Sequence, residues 1–349
     1  MKKVFVDELS AGIQVDSVFL VRDKNLATTK NGNPFLNLNL IDRTGKIAAK
    51  VWERRDDPGY VERINGDFGK NDFVRVSGRV ETYMENIQLI VDSIGQVAAG
   101  DVELSDFIPT GDRNPDEMVR ELMKIGEKIR NPYIKRLLSA FFTDNDFMRK
   151  FKQAPAAKKL HQAYLGGLLE HTLNLVKMAM AVSEHYPHVN RDLLVCGTIL
   201  HDIGKMEELD YERSFDYSDS GRLLGHIFIG AEMVRERIKM IEGFPERLAD
   251  LIIHMILSHH GEFVHGSPVL PAIPEAIILH HVDNMDAKVW GFMGEVERSS
   301  DIDGNWTRYS NVYERFIYKG DTFLDLSGDE GEKEKKKKKK LSMSLFDDE

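Results

Sequence analysis

At 349 residues the chain has room for two domains with full cores. Its 42% hydrophobic and 30% charged residues fit an ordinary globular protein, and no apolar run reaches the ~20 residues that a membrane-spanning helix needs. The net charge of −10 weighs against a protein whose sole task is tight nucleic-acid binding, a single cysteine excludes a disulfide scaffold, and an early acid in Met1-Lys-Lys-Val-Phe-Val-Asp-Glu argues against a signal peptide, so a cytoplasmic location is expected.

The first hundred residues read as strands. Ser17-Val-Phe-Leu-Val-Arg is one, and Phe35 to Ile41 alternates apolar and polar with period two. Ile47 to Trp52 follows the turn-like Asp42-Arg-Thr-Gly-Lys46. Asp72 to Val80 is a fourth strand, and Ile87 to Ile94 a fifth after a turn near Glu85-Asn86. Short strands joined by turns predict a small β-barrel over residues 1–100. Asp-x-Thr-Gly ahead of a strand ending in Trp52, then Asp-x-Val-x-Val-x-Gly, resembles an OB-fold of the nucleic-acid-binding type. That resemblance implies a surface for single-stranded nucleic acid, combining stacking aromatics with cations. The candidates are Phe35, Trp52 and Tyr83 for bases, with Arg79, Arg22, Lys24, Lys30, Lys50 and Arg54 for phosphates. Phe35 and Trp52 sit at positions that suit a barrel core equally well, and the cations suit a merely solvated face.

Residues 101–150 read as a linker with accessory helices. Breakers crowd Asp101 to Pro115, where Asn114 is placed to cap a helix that Pro115 begins. Met118, Leu122, Ile125 and Ile129 then follow helical spacing, and a second helix starts after Asn131-Pro132.

Residues 151–320 carry the chemistry. His171 lies in the apolar periodic segment Tyr164 to Val182, and His201-Asp202 ends the apolar run before Ile203-Gly-Lys205. On a regular helix, neighbours point about 100° apart, so one metal rarely takes both side chains. At a helix end the geometry loosens, and a carboxylate can bridge two metals while the imidazole serves one. Gly225-His226 opens the segment Ile227 to Ile241. His259-His260-Gly261 closes a helix, and Asp283 lies in another. Imidazoles mixed with carboxylates suit Mn, Fe, Co, Zn or Mg, whereas the lone Cys196, in a buried-looking helix, leaves no thiolate zinc site. The order His, His-Asp, His, His-His, Asp resembles the HD-domain superfamily of metal-dependent phosphohydrolases. The resemblance implies one metal held by His171, His201, Asp202 and Asp283. It implies a second, bridged through Asp202 and held by His226 with His259, His260 or both. Lys205 would contact a phosphate oxygen. The remaining histidines read as structural: His185 and His188 in a polar turn, His265 in a loop, His254 on another helical face, His280 and His281 beside the site or at the surface. His161 stands near the start of the His171 helix as a possible substrate contact.

Residues 321–349 form a lysine-rich tail expected to be disordered. Its Leu341-Ser-Met-Ser-Leu-Phe346 is similar to the Leu-Phe-ended peptides that dock on bacterial sliding clamps, though it lacks their glutamine. An OB-fold ahead of an HD domain, with Tyr164-Leu-Gly-Gly-Leu-Leu-Glu-His171-Thr, resembles the YhaM family of bacterial 3′→5′ exoribonucleases. That resemblance implies release of nucleoside monophosphates from single-stranded RNA, with DNA open as a second substrate. It also implies two divalent ions, Mn²⁺ preferred, and a homo-oligomer. Two other readings stay open: an HD hydrolase of small nucleotides with a regulatory barrel, and a non-catalytic nucleic-acid-binding or clamp-associated factor.

Overall fold

In the computed structural model, residues 2–84, 86–108, 110–157, 164–210 and 216–320 are described. His161, the lysine run and the Leu-Phe end all lie outside them. The chain divides into two compact units, one running to residue 110 and the other starting at 111.

The first unit is a closed barrel of β1 (Gln14–Thr28), β2 (Pro34–Asp42), β3 (Gly45–Trp52), β4 (Phe73–Tyr83) and β5 (Asn86–Val97), in the order β1-β2-β3-β5-β4. Only the β3–β5 pair is parallel. Alternation decides which side chains enter the barrel. On β2, Leu36, Leu38 and Leu40 point inward against Ile47, Ala49 and Val51 of β3, so Phe35, Asn37, Asn39, Lys50 and Trp52 face out. The Asp-x-Thr-Gly turn has a physical reason. Asp42 is buried, and its carboxylate accepts from the Thr44 N–H (2.8 Å), the Thr44 hydroxyl (2.6 Å), the Val6 N–H (2.8 Å) and the Lys2 ammonium (2.8 Å).

A helix that the strand pattern does not announce, α1 (Tyr60–Asp67), fills the space between β3 and β4 and buries Tyr60, Val61 and Ile64. Both ends are tied by side chains from elsewhere. Glu53 accepts from the N–H groups of Gly59, Tyr60 and Val61, and Lys24 donates to the carbonyls of Asn65 and Phe68. Lys24 is thus a helix anchor, which corrects its reading as a phosphate-binding cation. Arg54 is similarly engaged, stacking on Tyr60 and bonding the Asp92 carbonyl.

The second unit is helical: α2 (Pro115–Glu127), α3 (Pro132–Phe142), α4 (Asn145–Gln153), α5 (Gly167–Ser183), α6 (Arg191–Leu200) and α7 (Lys205–Glu208). The two-residue strands β6 (Leu209–Asp210) and β7 (Asp216–Tyr217) pair before α8 (Asp219–Lys239), α9 (Glu246–Ser258) and α10 (Pro274–Arg298). Asn114 and Asn131 cap α2 and α3 as the Asn-Pro pairs predict, each accepting two backbone N–H bonds. Helices α5 and α6 are apolar and enclosed, with Leu168, Leu169, Leu173, Val176, Leu194 and Leu200 fully buried. Buried centres with polar side chains at their ends are what build the site.

Candidate metal centre and nucleic-acid surface

Two helix ends, one helix break and two helix interiors bring the His and Asp side chains together; His171 lies within α5 and Asp283 within α10. Helix α6 stops at Leu200, so His201 and Asp202 lie in the turn beyond it, freed from the spacing of a regular helix. Helix α9 stops at Ser258, and His259-His260 turn out of it through Gly261 at φ 77°. A Cβ at Gly261 would collide with the ring of His280, whose Nδ1 lies 3.0 Å from the His259 carbonyl. His280 therefore seats the turn that carries His259 and His260. His226 sits where the sequence places it, at the start of the helical segment that Gly225 opens: Gly225, at φ 73° and ψ 153°, breaks α8 immediately before it and sets off a short leading segment from Asp219. The break re-aims the side chain toward Asp202.

Asp202 lies between the two sets of rings. Its Oδ2 faces His201 Nε2 (3.2 Å), His171 Nε2 (3.7 Å) and Lys205 Nζ (2.7 Å). Its Oδ1 faces Nε2 of His226 and of His259, both at 3.5 Å. Asp283 reaches His171 Nε2 at 3.2 Å. Two clusters result, His171–His201–Asp283 and His226–His259–His260, each with its donor atoms within 4.8 Å of one another.

Tautomers were a matter the sequence left unaddressed. Nδ1 of His201, His259 and His260 lies 2.7–2.8 Å from the carbonyls of Thr198, Ile256 and His265. A carbonyl only accepts, so each Nδ1 carries the proton and each Nε2 keeps its lone pair. Carboxylates do the same for the other two rings: Glu208 meets His226 Nδ1 at 3.0 Å, and Asp286 meets His171 Nδ1 at 2.7 Å. Glu208 and Asp286 had no assigned role in the sequence; their sole trace is a carboxylate one turn from Lys205 and another one turn from Asp283.

The electrostatics match a cation site. Nε2 of His201, His226 and His259 and Oδ1 of Asp202 are buried without a hydrogen-bond partner. Orphaned acceptors at one point are costly unless something positive joins them. Burial resists the charge on Asp202, yet Lys205 and His201 hold its carboxyl well below the usual range. Burial likewise opposes charge on Lys205, and Asp202 and Asp283 reverse this and raise it. Burial lowers His259 and His260, keeping both neutral. For His171 the carboxylates of Asp283 and Asp286 outweigh burial and push it up to about 9, so a metal ion taking Nε2 there would displace a second proton that Asp283 otherwise holds in place. Divalent ions fit this donor set.

On the barrel, Phe35 and Trp52 are registered partners whose rings stack at 4.9 Å and 25° on the outer face, and Tyr83 is half exposed. They are surface groups, so the barrel-core alternative is resolved. Lys50 sits among them, 5.1–5.9 Å from all three ring centres. Beside them a cavity of about 720 Å³ is lined by Lys24, Asn25, Asn37, Asn39, Lys50 and Lys70, among others. Arg79 is exposed and paired with Glu81 at 2.7 Å.

A closed barrel with an aromatic and cationic outer face, and a helical unit in which two His-rich clusters share Asp202, define a class: a metal-dependent HD-domain hydrolase with a nucleic-acid-binding module. Family comparison agrees, matching an HD domain over residues 168–288 and an OB-fold nucleic acid binding domain over residues 18–97. The 3′-5′ exoribonuclease YhaM of Geobacillus sp. (strain WCH70) is 37% identical over 80% of this chain and 83% of its own length. That of Bacillus subtilis (strain 168) is 36% identical over 80% and 86%. The chain belongs to the YhaM family. No helix among the described residues is long and apolar enough to cross a membrane.

Proposed function

We propose that this protein is a metal-dependent 3′→5′ exoribonuclease of the cytoplasm that removes nucleoside monophosphates from single-stranded RNA, with single-stranded DNA as a second substrate. The observation that carries the reading is the shared carboxylate: one buried Asp202 whose two oxygens face two separate donor clusters. His171, His201 and Asp283 would hold one divalent ion, and His226, His259 and His260 a second, with Asp202 between them. Mn²⁺ is the preferred ion in this reading because the YhaM family resemblance implies it; the mixed imidazole and carboxylate donors suit Fe, Co, Zn or Mg as well. Such ions would lower the pKa of water and neutralise charge on the phosphate.

The chain's own groups do the rest. Lys205, held charged against Asp202, sets an ammonium where a non-bridging phosphate oxygen gains negative charge. Glu208 and Asp286 fix ring orientation and keep Nε2 available. Phe35, Trp52 and Tyr83 stack bases, and Lys50 meets the phosphates between them. Binding energy gained there, remote from the chemistry, keeps long strands engaged. Several copies are expected to assemble; half-exposed Met285, Val289 and Met293, four residues apart on α10, offer an apolar face for this.

Incubation of the purified protein with 3′- or 5′-labelled single-stranded RNA and DNA plus Mn²⁺ tests the proposal. A 5′-labelled strand should shorten stepwise, and a 3′ label should leave at once as mononucleotide. An intact strand beside hydrolysed small nucleotides refutes it and favours a small-nucleotide hydrolase.

A further inference from the structure

Past the second cluster, the chain from His260 to Ala272 holds Phe263 and Val264 with 66% and 80% of their surfaces exposed. Exposed side chains of this kind usually mark loose loops, but this loop is tied down along its length. Phe263–His265 forms a single 3₁₀ turn closed by Gly266 in the left-handed region. The Ser267 N–H bonds the Glu262 carbonyl at 3.2 Å, and the Ser267 hydroxyl bonds the Leu257 carbonyl at 3.0 Å. The Ala272 N–H bonds His254 Nε2 at 2.9 Å, which accounts for a histidine outside the metal clusters. Most tellingly, the His265 carbonyl is the group that orients His260 through Nδ1 at 2.7 Å. The turn presenting Phe263 is thus built onto a side chain of the metal centre. Across from it, the His226 ring lies 5.2 Å from that of His260, and Leu224, half exposed, is two residues ahead of His226. Exposed apolar side chains therefore lie within a few residues of the ring donors on both segments that supply the second cluster.

We propose that Phe263, with Val264 and Leu224, forms a nucleobase platform at the mouth of the metal centre, taking the base of a nucleotide next to the scissile phosphate. The inference rests on the strand-cleaving reading above. The occupant follows from position. A phosphate at the metal centre fixes its nucleosides within a few ångströms, and a flat aromatic ring accepts any base by stacking, so the platform is tolerant of sequence. Ordering the ring in advance spares the substrate that entropy cost. This surface belongs to the helical unit and the other to the barrel, so the strand would be gripped by two sets of side chains: along its length by Phe35, Trp52 and Tyr83, and at its reacting end by Phe263.

The test compares full-length wild type, Phe263→Ala, Phe263→Trp and Phe263→Leu in Mn²⁺ on a 5′-labelled oligoribonucleotide and on bis(p-nitrophenyl) phosphate, which has no nucleobase. Phe263→Ala should lower kcat/KM on RNA by roughly tenfold, the scale of one lost stack. It should leave the small diester unchanged. Phe263→Trp should restore the RNA rate, and Phe263→Leu, apolar but not flat, should not. Equal loss on both substrates makes Phe263 a support for His260 and overturns the proposal. No loss on either also overturns it, as does a change in oligomer mass without selective loss on RNA, which assigns the surface to a second copy. A wild-type protein that leaves RNA intact fails the parent reading before any variant is made; a wild type that degrades RNA no faster than Phe263→Ala fails this inference alone.

Discussion

Gly204 is where the metal centre is most sensitive to a single methyl group. Its backbone angles, φ −62° and ψ −20°, suit any residue, so the requirement is for space alone. A Cβ there would stand 2.0 Å from the His226 carbonyl oxygen and 2.6 Å from the Gly230 nitrogen, where ordinary contact begins near 3.4 Å. Both obstacles are backbone and cannot rotate away, so Gly204→Ala must push α8 outward by more than an ångström. His226 rides on that backbone while Asp202 stays behind, and their 3.5 Å separation opens. Overpacking of this kind costs about 1–3 kcal/mol of stability. An ångström of misplacement at a reacting centre costs on the order of a hundredfold in rate. Calorimetric titration of the metal-free variant with Mn²⁺, beside turnover on labelled RNA, measures both effects. The expected result is loss of one binding event of two and a hundredfold slower exonuclease. Wild-type metal stoichiometry and turnover in Gly204→Ala would refute the claim that contact between the α7 entry and α8 sets the second cluster.

Asp202→Asn should abolish hydrolysis while RNA binding survives, read by gel shift beside the turnover assay; loss of binding together with activity would mark Asp202 as structural. Trp52→Ala should raise Kd for an oligoribonucleotide by about ten- to a hundredfold, the scale of one or two lost stacks, and leave bis(p-nitrophenyl) phosphate hydrolysis intact. Equal decline on both substrates would reject the feeding role of the barrel face. Burial pushes the Cys196 thiol well above its usual value, so it stays protonated at pH 8 and iodoacetamide should label it only after denaturant is added. Rapid labelling of the native protein, read by intact mass, would contradict the burial of α6.

The donors of the centre were legible in the sequence because each ends or interrupts an apolar run, and apolar periodicity locates helices well. Their supports were not. Glu208 and Asp286 act on rings that come from other parts of the chain, and a contact such as Asp286 with His171 leaves no local trace, whereas His280 was read beside the site or at the surface and supports the His259 carbonyl. The strands were legible through alternation. Helix α1 was not, because its length of eight residues carries little periodic signal and its ends are held by Glu53 and Lys24. Lys24 and Arg54 looked like phosphate ligands for a related reason: a cation's sequence position says nothing about which carbonyl it will satisfy. Phe35 and Trp52 were undecidable until the register was known, since a shift of one residue exchanges the two faces of a strand.

The closing of β1 onto β4 and of β3 onto β5 has a consequence for how the barrel meets other molecules. Every barrel strand has a neighbour on each side over part of its length, so no strand of the barrel presents a full-length open row of N–H and C=O groups to an incoming chain. Joining this sheet as an added strand, or zipping copies of the barrel together edge to edge, is therefore disfavoured over most of its perimeter. What it offers to the outside is its lateral face alone, where recognition is written in side chains and can be altered one residue at a time without unpicking the fold.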